Sequence, residues 1–407
     1  MPSSLTWVDY DPEDRERSIR ILSLFQEKDS RDELGLGAIR DSFADALFPG
    51  TTTIQTRMRY MLFVPWVYNY LENMRVSSTD FAARARRLEL SLVEPLLKNS
   101  DDSGVFGKVA GGGLKRLPSS VYWNGLGRWG LRRIPWSQDE YHRYINKIYL
   151  RRDAAKGRSE KDESPDDRTV TWHPKLPKPP EGFPDQLENL SLDLESEEAS
   201  FLLDQIQNTQ KASLLAWLAA NPKRDVPECG FPWEHPEFGS FREDHREILK
   251  YAEFFSVIMH GASYLYNLML AEVAHRDELL KKHLKNIEDW RNRLSQLPYK
   301  EIDLEKLWKM VEGRGHHITW RAKDFVTVWC RRVSETGGSV ENDTFCRTLV
   351  EKREKDLKGP KSRFTNSKAR DQWSGFAGTV QMNYRWSNIK RFLSDLYAGL
   401  NGGGNNA

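Results

Sequence analysis

Cysteine is nearly absent: the 407 residues hold only Cys229, Cys330 and Cys346, no two closer than 16 positions. That excludes a C-x-x-C pair for zinc or thiol exchange, and a sparse, odd count suits a reducing compartment. Net charge is scarce too, because 61 Lys and Arg against 59 Asp and Glu leave +2. A balanced chain does not coat a polyanion along its whole length, so any nucleic-acid surface must come from local clustering. The start, Met1 to Trp7, runs into acids without a basic and then apolar stretch, so no secretion signal is expected and the chain reads as cytoplasmic. Strand-like alternation is rare as well, which favours helices.

Catalytic signatures are equally thin. There is no phosphate-binding G-x-x-x-x-G-K-S/T loop and no H-E-x-x-H. His283-Leu284-Lys285 opens like a phospholipase-D motif but lacks the aspartate and glycine that should follow, and Asp356-Leu357-Lys358 lies in a charge run rather than after a strand. Gly125, Gly127 and Gly130 match G-x-G-x-x-G, yet Pro135 follows too soon for a good helix, and a glycine-rich turn is expected. His316-His317 lies in a loop with Gly313-Arg314-Gly315, has no further ligand at helical spacing and reads as a surface turn. Neither a metal nor a cofactor is expected.

What is present is aromatic mass, 14 Trp, 14 Tyr and 18 Phe, enough for a core built on large rings. Apolar residues at helical spacing predict a mainly α fold of two helical domains. The first, 1–152, contains a Gly/Trp-rich irregular segment over 98–135. A Pro- and charge-rich stretch, 153–195, reads as the linker, 196–400 as the second domain, and 401–407 as a disordered tail. In the first domain helices are expected after Asp11-Pro12, over Ile39–Leu47, from a Thr51 or Thr52 cap through Trp66 with a kink at Pro65, and over 80–94 with a stop at Pro95. In the second they are expected over Glu197–Gln207, Lys211–Asn221, Arg242–Glu272, Arg276–Gln296, Asp303–Val311, Ala322–Glu335, Asn342–Leu357 and Ser387–Leu400.

Two regions concentrate cations and rings. Lys108–Arg158 holds 12 bases against three acids, and Arg347–Arg391 holds 12 against four. Cations neutralise phosphates and aromatic faces stack on unpaired bases. Lys115, Arg116, Tyr122, Trp123, Arg128, Trp129, Arg132, Arg133, Tyr384, Arg385 and Trp386 are therefore the candidate nucleic-acid residues. The competing reading is that arginine stems cover buried tryptophans. A candidate anion site is Thr51 and Thr52 at a helix start with Arg57 and Arg59, the alternative being a simple cap with both arginines paired to acids such as Asp32, Asp41 or Asp45. Phe254–Ala271 carries no Asp, Glu, Lys or Arg. Its polar interruptions favour a central core helix over a membrane span. Glu253, His260 and Asn267 recur every seven residues on one face, either as a satisfied polar network or as a pocket with His260 as its titratable group.

Asp32-Glu33-Leu34-Gly35-Leu36-Gly37, Leu47-Phe48-Pro49-Gly50-Thr51, Gln55-Thr56-Arg57-Met58-Arg59-Tyr60, Tyr122-Trp123-Asn124-Gly125-Leu126 with Trp129-Gly130, and Asn383-Tyr384-Arg385-Trp386 carry a resemblance. From Trp7 to Leu400 the chain resembles an uncharacterised bacterial family, domain of unknown function six-three-six-one. The resemblance implies a place beside antiviral defence genes such as helicases and phospholipase-D-like proteins. It implies no activity. The expectation is an accessory component that binds DNA or RNA or assembles with other defence proteins, such as a helicase or nuclease. The alternatives are an enzyme with its site near His260 and a protein-interaction scaffold.

Overall fold

The computed structural model describes residues 32–100, 104–108, 111–156, 169–221 and 226–402. The helix expected after Asp11-Pro12 lies outside them, as do 403–407 of the expected tail 401–407, whose first two residues, Asn401 and Gly402, instead end the last helix. The described residues fold into α-helices and short 3-10 turns, with one isolated antiparallel bridge between Arg132 and Trp172 and no β-strand. The chain divides into two compact units, each assembled from two stretches: residues up to Ala46 with Phe231–Tyr384, and Leu47–Gly230 with the chain from Arg385. The divide therefore does not follow the expected 153–195 linker.

In the first unit, α1 (Gly37–Leu47, bar its last residue) accompanies α9 (Glu243–Val273), α10 (Asp277–Leu294), α11 (Leu304–Val311), α12 (Trp320–Thr336), α13 (Thr344–Lys358) and the short α14 (Ser367–Asp371). Helix α9 is the centre, packed by α10, α12 and α13. Of its most apolar 18-residue window, 89% is buried inside the protein. This is the core helix expected from a segment apolar nearly all round. Two tryptophans lock onto its backbone. Trp290 Nε1 donates to Val257 O at 2.7 Å and Trp329 Nε1 to Ile258 O at 2.9 Å. Gly261 makes this approach possible, because a Cβ there would collide with the Trp290 ring.

In the second unit, α2 (Tyr60–Asn73) packs against α3 (Phe81–Ser91) and α5 (Pro118–Arg128), while α4 (Val93–Asn99) continues from α3 and α6 (Gln138–Lys156) packs on α5. Helices α7 (Ser196–Thr209) and α8 (Leu214–Ala220) pack against α15 (Trp386–Gly402). Residues 51–59 are turns rather than the start of a helix, and α2 runs through Pro65. The break expected at Pro95 falls instead at Leu92, between α3 and α4. Proline lacks the N–H that would reach back four residues and its ring crowds that carbonyl, so the ladder fails upstream of it.

Two expectations for this unit are corrected. The Gly/Trp-rich segment is irregular only in part: α5 runs through it, with Gly125 and Gly127 inside the helix and Gly130, at φ +72°, just beyond its end. Gly125 is small because Gly50 O and the Met61 methyl lie where its Cβ would be. Of the expected linker, 171–195 packs into the unit, with Trp172, Leu190, Leu192 and Leu194 buried. Trp172 Nε1 donates to the buried Glu72 carboxylate at 2.8 Å, beside Thr171 Oγ1 at 2.7 Å and Arg152 at 2.6 Å. Residues 157–168 lie outside the described stretch.

Candidate functional site

Helix α5 separates the basic aromatic segment into two populations. Its rings point inward. Tyr122 Oη donates to Arg57 O at 2.7 Å and accepts from Thr56 N and Arg57 N. Trp123 Nε1 donates to Trp136 O at 2.8 Å, and Trp129 Nε1 donates to Pro49 O at 2.9 Å. All three are buried, so none offers a face to a nucleic-acid base. Arg132 is buried with them, its guanidinium 5.1 Å from the Trp123 ring centre and donating to Trp136 O. Lys115, Arg116, Arg128 and Arg133 are exposed. Tyr122 and Trp123 face α2, against Tyr60 and Tyr68, while the exposed bases cluster at and beyond the helix ends. Trp136 and Tyr144 remain half-buried, edge to face, with Lys147 Nζ 4.2 Å from the Tyr144 ring centre.

Tyr384, Arg385 and Trp386 are core residues as well. Tyr384 Oη donates to Ala252 O at 2.7 Å, Arg385 Nη1 to Thr51 O at 2.6 Å and Trp386 Nε1 to Cys229 O at 3.2 Å. Tyr384 and Arg385 hold left-handed backbone at φ 51° and 70°, strained for residues with side chains. That turn opens α15. These three residues are corrected from a nucleic-acid surface to a structural corner.

The Thr51, Thr52, Arg57, Arg59 group forms no anion site. Thr51 Oγ1 donates to Phe48 O at 2.6 Å, and Thr52 N donates to Gln55 Oε1 at 3.0 Å. Arg57 Nε lies 2.8 and 3.1 Å from the two oxygens of Asp395, and Arg59 Nη2 lies 2.8 Å from Glu198 Oε1. Both arginines are paired, as the simpler alternative had it, but with acids far along the sequence rather than Asp32, Asp41 or Asp45. Burial pushes the Asp395 carboxyl up to about 6, against the pull of Arg57 and of the Met58 N–H.

His260 belongs to a polar row on α9 that holds the segment 373–384. Ser256 Oγ donates to Met382 O at 2.8 Å, and His260 Nε2 sits 2.8 Å from Thr379 O. Asn267 donates to Ala377 O at 2.7 Å and accepts from Ala377 N and from Trp373 Nε1, both at 2.9 Å. From α10, His283 Nε2 reaches Gly375 O at 2.8 Å. A segment without regular structure needs partners for its carbonyls, and this row supplies them. Burial lowers the His260 pKa to about 4, so the ring is a neutral donor to Thr379 O. Glu253 lies nearer the start of α9 and joins none of these bonds. His316 is buried, not a surface turn, with Nε2 2.8 Å from Asp45 Oδ2, whereas His317 is exposed.

Among the described residues no group of three or more His, Cys, Asp or Glu is arranged to hold a metal ion. A groove of about 350 Å³ lies between α9 and α13, lined by Met269, Val273, Phe364, Glu272, Arg347 and Glu351. Its wall is an ion pair, Arg347 with Glu272. Sequence reading passed over it because its residues come from separate, individually ordinary helices. The same holds for a polar chain from Glu89 through Ser119 to His142, whose members come from four helices.

Neither a curated protein nor a solved structure matches the chain. A family model matches residues 2–399, nearly the whole length. The chain therefore belongs to the family of unknown function DUF6361.

Proposed function

We propose that this protein is a non-catalytic binding component that contacts the phosphates of DNA or RNA through exposed cations of its second unit. The observation that carries this reading is the sorting along α5: buried rings, exposed bases. Lys115 and Arg116 precede the helix, where Arg86 Nη1 also donates to Leu114 O at 3.0 Å. Arg128 is its last residue and Arg133 follows it, and Arg133 shares its surroundings with Lys175, both contributing to a lowered pKa at His173 after the larger effect of burial. Without accessible rings in the candidate set, contact is electrostatic and indifferent to base sequence. The role as an accessory in bacterial antiviral defence, beside a helicase or nuclease in the cytoplasm, rests on the family resemblance.

The test is a salt titration of binding to single- and double-stranded nucleic acid. Affinity should fall steeply with salt, and Lys115→Ala with Arg116→Ala should flatten the slope by about two phosphate contacts. Salt-independent binding, or none at low salt, overturns the reading. A scaffold role is the second reading. It is favoured by the 71% exposed Trp320 and 52% exposed Phe345 of the first unit, since large exposed rings suit protein contacts. Copurification of a partner that is lost in Trp320→Ala, without nucleic-acid binding, would select it.

A further inference from the structure

Glu89, Ser119, Gln138, Tyr68 and His142 form a hydrogen-bond chain across α3, α5, α6 and α2. Ser119 donates to the two Glu89 oxygens, from its backbone N–H at 2.7 Å and its hydroxyl at 2.6 Å. Gln138 Nε2 stands 2.7 Å from Ser119 Oγ and 2.8 Å from Tyr68 Oη. Tyr68 Oη is 2.8 Å from His142 Nε2. Glu89, Ser119 and Tyr68 are buried, while Gln138 and His142 are half-buried, so the chain runs from the core towards solvent.

The directions of these bonds are coupled, because each hydroxyl has a single hydrogen. With Gln138 Nε2 between the hydroxyls, both amide hydrogens are donated. Ser119 then gives its hydrogen to the Glu89 carboxylate, and Tyr68 gives its own to a bare His142 Nε2. A second arrangement also satisfies every atom. Half a turn of the amide puts Oε1 between the hydroxyls, where it accepts from both. Ser119 then accepts from a protonated Glu89 carboxyl, and Tyr68 accepts from a hydrogen on His142 Nε2. Mixed arrangements strand a buried hydrogen or lone pair, which is unfavourable.

We propose that the Gln138 amide is a two-position switch coupling protonation of Glu89 to the hydrogen carried by His142 Nε2. The surroundings place the switch near neutral pH. Burial pushes Glu89 up to about 7, with the Ser119 bonds and Arg86 opposing. Tyr60 and Tyr68 of α2 are the other titratable groups facing it. Burial lowers His142, with Asp139 of its own helix opposing, and the rings of Tyr68, Phe81 and Tyr141 surround it. Among the described residues neither Glu89 nor His142 belongs to an ion pair, so the proton positions follow the hydrogen bonds.

Nitrogen NMR of His142 in the full-length protein tests this, since its shifts report both tautomer and protonation. Glu89→Gln imitates the protonated carboxyl: its amide donates to Ser119 Oγ and accepts from Ser119 N. It should move neutral His142 from the Nδ1–H to the Nε2–H tautomer and raise its pKa by about half a unit or more. Plain loss of a nearby negative charge would lower that pKa, so the two explanations differ in sign. Adding Tyr68→Phe should abolish the effect. In the wild type the tautomer should change as Glu89 titrates, and Gln138→Leu should remove that change. A lowered or unmoved His142 pKa in folded Glu89→Gln overturns the proposal. So does a wild-type tautomer that ignores pH, or one that still responds in Gln138→Leu, and these two readouts stand if Glu89→Gln does not fold.

Discussion

Arg57 lies along the carboxylate of Asp395, its Nε 2.8 Å from one oxygen and 3.1 Å from the other, with Met58 N–H on the same acid at 2.8 Å. The pair is 338 positions apart in sequence and joins the turn before α2 to the middle of α15. A buried carboxylate without its cation is costly. Arg57→Met should therefore destabilise the protein by about 3–5 kcal/mol at pH 8. The penalty should shrink towards pH 5, because Asp395, at about 6 rather than its ordinary 3.8, is then protonated. Urea denaturation of both proteins at the two pH values checks this, and a pH-independent difference would deny Asp395 its role.

His260 should set an acid limit on stability. Its folded pKa of about 4 lies below the ordinary 6.5, so the unfolded chain takes up its proton first. Its contribution is intact above pH 6.5 and is lost as pH falls through 6.5 towards 4, amounting to about 3 kcal/mol. Glu89 acts with the opposite sign over part of the window. The informative quantity is thus the difference between wild type and His260→Gln, which should lose this acid-dependent component. His260→Asp should cost on the order of 3 kcal/mol at neutral pH, and an unchanged melting temperature would show that α9 is not central.

Gly261→Ala should be strongly destabilising although alanine favours helices. The added methyl would occupy the position of the Trp290 ring, forcing that ring off its bond to Val257 O. Overpacking of this kind costs about 1–3 kcal/mol or more. Gly261→Ala with Trp290→Leu should recover part of the loss, and chemical denaturation of the single and double variants measures it.

Trp172→Ala distinguishes a packed segment from a linker. A linker residue would be replaceable without effect. Here the ring is buried and its N–H serves Glu72, so the loss should be about 3–5 kcal/mol. Thermal melts decide, and a neutral result would return the segment to linker status.

Local pattern alone was enough for the helices of the carboxyl-terminal half. The sequence expectation Arg242–Glu272 became Glu243–Val273, and Asp303–Val311 became Leu304–Val311, because caps and 3.6-residue periodicity act over neighbouring residues. It was also enough to make Phe254–Ala271 a core helix, since a stretch without charged residues has to be buried. Tertiary structure decided what composition cannot rank. Arg57 and Arg128 look alike in sequence, yet one is buried on Asp395 and the other exposed. Trp129 is a stacking platform or a core ring depending only on whether Pro49 O is there to take its N–H. Burial and pairing of this kind depend on contacts between residues 80 and 338 positions apart, and no local spacing records them. The mainly helical class and most helix boundaries were therefore determined by sequence, whereas which cations and rings reach solvent was settled only when the helices packed.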